Sequence, residues 1–263
     1  MTPPPPREFP YWLVLAGAVG VYLFYRIWSD DLYAQVLATV SRGIGITVFV
    51  ALVAFSLASV LGLALALAST SRFVAVRQLA RLYVELVRGI PIIVLLLYVA
   101  FVGAPGIVWL LNALLAPFGV PDIRTRDMSL LWRAVFALTM AYSAFLSEIF
   151  RAGLQSVSPG QIEASQALGL SRWHRFRHIV FPQAFRTILP PFGNDFVAMV
   201  KDSSLVSVLG VADITQLGKV AAAGNFRYFE TYNVVALIYL TMTITLSLAL
   251  RRLEARLRLD APK

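Results

Sequence analysis

Long apolar runs, separated by short arginine-rich segments, set the pattern of this chain. Tyr11–Tyr25 is the first run. The second lies between Arg42 and Arg72, uncharged throughout and rich in Ala, Leu, Val and Gly. The third is apolar from Gly89 to Val102, and its helix is expected to start near Leu79. Pro91 falls inside it, which a membrane helix tolerates where neighbours satisfy the freed carbonyl. Gly103-Ala104-Pro105-Gly106 then breaks the pattern, and Ile107–Ala116 reads as a short interfacial helix. Leu130–Ile149 and Thr231–Leu250 are further runs. About 20 apolar residues span the hydrocarbon core of a bilayer, so the pattern predicts an all-α, polytopic transmembrane helical bundle.

Phe185–Leu209 is the weakest candidate, because Pro190-Pro191, Asp195, Lys201 and Asp202 interrupt it. The arginine distribution requires it nonetheless. Arg72, Arg77, Arg81 and Arg88 flank one connection, Arg151, Arg172, Arg175, Arg177 and Arg186 fill a second, and Arg251, Arg252, Arg256, Arg258 and Lys263 follow the last run. Placing all three segments on the cytoplasmic side follows the positive-inside rule. It demands two crossings between the second segment and the tail, which Phe185–Leu209 and Thr231–Leu250 supply. The expectation is about six membrane helices with both termini cytoplasmic, and Val211–Phe229 as an outer loop or short re-entrant helix.

Composition agrees. Hydrophobic residues make up 59% of the chain and charged residues 14%, well below the charge of a soluble domain, and mean hydropathy is +0.74. The net charge of +9 sits mainly beside apolar runs, where it meets anionic lipid; no basic patch with stacking aromatics stands apart, so nucleic acid is not expected as a partner. With no cysteine, disulfides and thiolate metal sites are excluded. Met1–Pro10, with Pro3-Pro4-Pro5-Pro6, reads as a disordered lead. No small-x-small cleavage site follows Tyr25, so the first run is expected to be an uncleaved helix.

One polar segment has a local logic of its own. Ser158-Pro159 offers an N-cap and an N1 proline, Ala164, Ala167 and Leu168 share a helical face, and Gly169 can take the left-handed conformation that closes a helix. Ser171 can cap a second helix, on which Trp173, Phe176 and Ile179 share a face away from Arg172, Arg175 and Arg177. Such a helix could also lie on lipid headgroups. The run Glu163-Ala164-Ser165-Gln166-Ala167-Leu168-Gly169, followed by Ile179-Val180-Phe181-Pro182, resembles the E-A-A-x3-G-x9-I-x-L-P signature of the membrane subunits of ABC importers, departing from it at Ser165 and Phe181. Tyr83-Val84-Glu85-Leu86-Val87-Arg88-Gly89-Ile90-Pro91, Glu148-Ile149-Phe150-Arg151-Ala152-Gly153-Leu154 and Lys201-Asp202-Ser203-Ser204-Leu205-Val206-Ser207-Val208-Leu209-Gly210 are similar to permeases for polar amino acids. The resemblance runs from about Thr39 to Leu257.

What the resemblance implies is a type I ABC importer transmembrane domain over residues 39–257. An extra N-terminal membrane helix and outer loop would occupy 11–38, a coupling loop 152–184 and a cytoplasmic tail 258–263. Such a subunit sits in the bacterial cytoplasmic (inner) membrane beside a second permease, identical or related. Its further partners would be two ABC ATPase subunits and an extracytoplasmic solute-binding protein, the substrate a polar amino acid. Glu163, Ala164, Ala167, Gly169, Ile179 and Pro182 would then couple to the ATPase. No Walker-type G-x4-G-K-[ST] occurs, so nucleotide hydrolysis must belong to another chain.

Asn194, Asp195, Lys201, Asp202, Ser203 and Ser204 form a polar cluster within a predicted crossing and are candidates to line a pathway; charges there must face protein or water. The alternative is that Lys201 and Asp202 each pair with a neighbouring helix. Glu85 with Arg88, and Glu148 with Arg151, are spaced three apart and read either as local ion pairs at helix ends or as a cytoplasmic gate. His174 and His178 have the spacing of a metal pair, but no helical carboxylate completes a set and arginines flank them, so no metal and no cofactor is expected. No nucleophile, base and orienter cluster together, so no catalytic residue is expected and the chain does not read as an enzyme. An ATP-independent secondary transporter or channel is the rival reading.

Overall fold

The computed structural model describes residues 11–119 and 121–259, and all regular structure among them is helical. The order is α1 (Tyr11–Ser29), α2 (Asp31–Val40), α3 (Ile44–Ser69), α4 (Val74–Gly89), α5 (Ile92–Tyr98), α6 (Ala104–Leu115), α7 (Leu130–Gln155), α8 (Pro159–Ala167), α9 (Arg172–Arg175), α10 (Phe181–Asp202), α11 (Ile214–Asn225) and α12 (Tyr228–Leu259). Among the described residues, four stretches are long and apolar enough to cross a membrane: Asp31–Ser69, Ile92–Phe118, Leu130–Gln155 and Tyr228–Arg256. The expected crossings Tyr11–Tyr25 and Phe185–Leu209 lie in α1 and in α10 with the 3-10 turns after it, and are not among the four. Arg186, Asp195, Lys201 and Asp202 keep α10 from qualifying on hydropathy. The proline-rich lead at 1–10 and the end of the tail at 260–263 lie outside the described residues.

At the centre α3 packs along α7. The buried face of α3 is made largely of small residues, Ala51, Ala54, Ala58, Gly62 and Ala66. A Cβ at Gly62 would stand 3.0 Å from both the Leu146 Cβ and the Ser143 carbonyl oxygen, so the backbones meet at a distance only small residues permit. Contact of Ala54 with Thr139, and of Gly62 with Leu146, makes the two helices parallel. α10 runs antiparallel to α7, with Ile188 against Gly153 at one end and Asp202 against Tyr142 at the other. α12 runs antiparallel to α10, with Leu250 over Gly193 and Met242 sharing a cavity wall with Val200. These directions bring the ends carrying Arg72–Arg88, Arg151–Arg186 and Arg251–Arg256 to one end of the bundle.

Proline placement corrects the expected element boundaries. Pro91 does not sit inside a helix: Ile90 and Pro91 are extended (ψ 131° and 139°), α4 ends at Gly89 and a new helix starts at Ile92. The expected break at Gly103-Ala104-Pro105-Gly106 and the separate helix Ile107–Ala116 are absent. Helix runs through that stretch by a π turn, Val99–Gly103, closed by the Ala104 N–H on the Val99 carbonyl. In that register the missing Pro105 donor orphans the Ala100 carbonyl. The buried Arg133 donates Nη1 to it at 3.1 Å and Nε to the Met128 carbonyl at 3.0 Å, which explains an arginine only 8% exposed. Pro190-Pro191 leave α10 unbroken.

A second cluster, Tyr33, Val36, Val40, Ile214, Val234, Val235 and Ile238, locks α2, α11 and α12 together. Here α11 starts directly on the joint between α2 and α3. A Cβ on Gly43 would stand 2.4 Å from the Ile214 nitrogen, and the Ile214 N–H donates to Thr47 Oγ1 at 3.3 Å. The buried Asp213 caps α11, accepting from the Gln216 N–H at 2.8 Å and from the Tyr239 hydroxyl at 3.1 Å.

Candidate coupling surface and polar pathway

The segment after α7 forms a short helix, a glycine turn and a second helix. α8 ends in a Schellman arrangement: the Gly169 N–H donates to the Gln166 carbonyl at 2.9 Å, and the Leu170 N–H to the Ser165 carbonyl at 3.1 Å. This requires the left-handed φ of +73° found at Gly169. Ser158 occupies the N-cap position of α8 without a side-chain cap bond, although Pro159 is its first residue. Ser171 does cap the second helix, accepting from the His174 N–H at 3.3 Å.

Glu163, Ala164, Ala167, Leu168 and Gly169 are all exposed, so α8 presents a small-residue face with a carboxylate at its edge. The opposite side is anchored by Ser165, 1% exposed, whose hydroxyl donates to the Ile162 carbonyl at 2.6 Å. That internal bond lets a serine occupy a buried alanine position of the signature at little cost. Ile179 and Pro182 are half-buried on the second helix. No turn separates that helix from α10, because a π turn at Phe176–Val180 carries it straight on. Trp173 stacks on Phe176 at 6.2 Å as the helical spacing predicts, and the aromatic ladder continues to Phe181. His174 and His178 stack at 6.0 Å, with His174 Nδ1 2.8 Å from Ser171 Oγ.

At the same end of the bundle Glu85, Arg88, Glu148 and Arg151 line one cavity of about 450 Å³. Only the second pair is closed: Arg151 Nη2 contacts Glu148 Oε2, and Arg151 Nη1 donates to Gln155 at 2.9 Å. Glu85 and Arg88 form no ion pair among the described residues. Arg88 instead lies over the Phe145 ring at 6.0 Å. Arg81, Gln155, Ser69 and Thr70 complete the wall. No sequence pattern singles out these four, because each is unremarkable on its own helix.

On α10 the exposed residues Thr187, Asn194 and Lys201 recur every seven positions, with half-buried Asp195 and Asp202 beside them. Asp202 accepts from the Tyr142 hydroxyl at 2.8 Å, and Lys201 makes no ion pair among the described residues. Ser203 is buried, donating to the Val200 carbonyl at 2.7 Å, and Ser204 is half-buried. The α-helix stops at Asp202; Ser203–Leu209 is 3-10, closed by Gly210 at φ +79°. Tyr142 is hidden, in sequence, within an apolar run. An uncompensated Lys201 facing hydrocarbon would cost about 2.5–3.5 kcal/mol.

Comparison with known proteins agrees with this architecture. Residues 58–259 match the family described as binding-protein-dependent transport system inner membrane component. The probable amino-acid permease protein YxeN of Bacillus subtilis (strain 168) is 36% identical over 210 residues, 80% of this chain and 87% of that protein. The glutamine transport system permease protein GlnP of Escherichia coli (strain K12) is 34% identical over 218 residues, 83% of this chain and 92% of that one. The solved structure of an amino acid ABC transporter with histidines superposes with a TM-score of 0.69 at 33% identity, covering 89% of this chain and 98% of that chain. An inward-facing structure of the MetNI methionine ABC transporter, 18% identical, shares the fold with a TM-score of 0.63 over 82% of this chain and 95% of that chain.

Proposed function

Since this chain belongs to the binding-protein-dependent inner membrane transport components, we propose that it is the permease subunit of an ATP-driven importer of polar amino acids. Membership implies an ATPase and a solute-binding protein as partners. The family is one of transport components, not enzymes. The observation that carries the mechanism is α8: a helix closed by two Schellman bonds whose small-residue face is turned outward, at the bundle end where the arginine-rich segments gather.

In this reading Glu163, Ala164, Ala167 and Gly169 seat in an ATPase groove, and Ile179 and Pro182 hold the second helix behind them. Because the second helix is continuous with α10, displacement of α8 by a closing ATPase crosses the short turn at Gly169 and then passes into α10 along one helix. Polar residues Asn194, Asp195, Lys201, Asp202 and Ser204 line the route, and the buried Ser203 lies behind them. The exposed stripe through Asn194 and Lys201 calls for cover by a second permease and by water. A zwitterion needs an acceptor for its ammonium and a donor for its carboxylate, which this stripe offers. Glu85, Arg88, Glu148 and Arg151 form the exit gate. Residues 39–257 make up the transmembrane domain, entered through the extra segment 11–38, with the coupling loop at 152–184 and the tail at 258–263. The protein lies in the bacterial inner membrane with both termini cytoplasmic.

Uptake into proteoliposomes holding the permease, its ATPase and its binding protein tests this. Labelled polar amino acids should accumulate only with internal ATP. Lys201→Met and Asp202→Asn should each lower uptake while the ATPase stays bound. Uptake driven by an ion gradient without ATP would reject the import mechanism, and full uptake by both variants would reject the pathway.

A further inference from the structure

The π turn at Phe176–Val180 builds a surface that an uninterrupted α-helix would not. Residues five apart diverge by about 140° on a helix of 3.6 residues per turn, whereas the i→i+5 repeat of a π turn brings them into line, and such turns gather at functional sites. Phe176 and Phe181 lie 6.0 Å apart in consequence. The ladder extends to Trp173 on one side, at 6.2 Å, and to Phe185 on the other, at 5.7 Å. Trp173 is 62% exposed.

This ladder runs into a groove of about 410 Å³ between α3, α7 and α10, walled by Val60, Leu63, Leu154, Phe181, Phe185 and Ile188. Ser59, the one hydroxyl on the wall, donates to the Phe55 carbonyl at 2.7 Å, so the groove offers a ligand no free polar group. An amino acid would lose its hydration there without replacement. On α10 the groove residues Phe181, Phe185, Ile188 and Phe192 lie roughly opposite the polar stripe of Asn194 and Lys201, so the stripe and the groove face different surroundings. On α3 the wall residue Val60, 73% exposed, belongs to an apolar span, which makes the groove continuous with hydrocarbon.

Charge fixes the other end of the ligand. No acidic residue occurs between Glu163 and Asp195, a stretch that holds Arg172, Arg175, Arg177, Arg186 and both histidines. Arg172 and Arg177 are exposed and form no ion pair among the described residues. We propose that this elbow is a binding site for one anionic phospholipid, with an acyl chain in the groove against the aromatic ladder and the headgroup drawn by the positive field of the exposed Arg172 and Arg177. Lipid occupancy would then bear on the helix that links α8 to α10. The proposal rests on the membrane-spanning fold and not on which amino acid is carried.

The test uses the assembled importer in nanodiscs of mixed phosphatidylcholine and phosphatidylglycerol, released for native mass spectrometry. Phosphatidylglycerol should be retained selectively. The double variant Arg172→Gln, Arg177→Gln should cut that retention about tenfold or more, each arginine near an anionic surface being worth about fivefold. A phosphatidylglycerol with a photoreactive acyl chain should label Phe181–Ile188 in the wild type, and Val60→Trp, which narrows the groove, should lower the labelling severalfold. Equal retention by wild type and the arginine variant overturns the proposal. So does labelling that misses Phe181–Ile188, as it would if the ATPase or a second permease covered the ladder. Should Val60→Trp fail to assemble, the arginine variant and the wild-type labelling decide.

Discussion

Gly169 carries the heaviest conformational demand in the proposed coupling segment, and the amino-acid pattern alone declares it. A glycine ten residues after Pro159, at the end of a short helical stretch, predicts a left-handed closure, and φ is +73° with both Schellman bonds made. A β-branched residue there costs about 1–2 kcal/mol in backbone strain, although no neighbour lies within 4 Å to clash with it. Gly169→Val should therefore insert and assemble normally, with substrate-stimulated ATP hydrolysis reduced at least severalfold; unchanged stimulation would remove the docking role. Other residues escape any reading of pattern. The i,i+3 spacing that predicts a local Glu85–Arg88 pair holds for Glu148–Arg151 but not for Glu85, because Arg88 turns to the face of Phe145. Tyr142 reaches Asp202 across 60 positions of sequence, a relation that no local period encodes.

Among the elements, long uncharged runs announce themselves, while prolines give little warning of what each will do. Pro91 ends a helix, whereas Pro105 and Pro190-Pro191 lie within continuous ones. The difference lies in the satisfaction of freed carbonyls. Arg133, from a different helix, reaches the one left by Pro105, and that rescue is a tertiary event. The joint at Gly43 is equally hidden. Gly43-Ile44-Gly45 reads as ordinary membrane-helix glycine, yet only Gly43 carries the α11 backbone against it, while a Cβ added at Gly45 would meet no neighbouring element within 4 Å. Gly43→Val would drive side-chain atoms into the Ile214 and Asp213 backbone, which cannot swing aside as a side chain would. Its yield of folded, detergent-stable protein should fall sharply, while Gly45→Ala stays near wild type. Equal yields would mean that α11 does not rest on this joint.

For the whole molecule, the charge count and the helix directions agree on which ends belong together, and the absence of cysteine makes every introduced thiol an unambiguous probe. Single cysteines at Gln161 and Ala255 should be shielded from an impermeant thiol reagent added outside, and those at Asp127 and Asn225 should react. Gln161 and Asn225 on the same side would remove the crossing assigned to α10. The most direct test of the central claim, that α8 is where force enters, is cross-linking from Ala167→Cys in the complete complex. A short thiol cross-linker should join it to the ATPase in high yield, with a yield that changes between the nucleotide-free and ATP-bound states. An assembled, transporting complex in which Ala167→Cys reacts freely with soluble thiol reagents and never joins the ATPase would contradict the account.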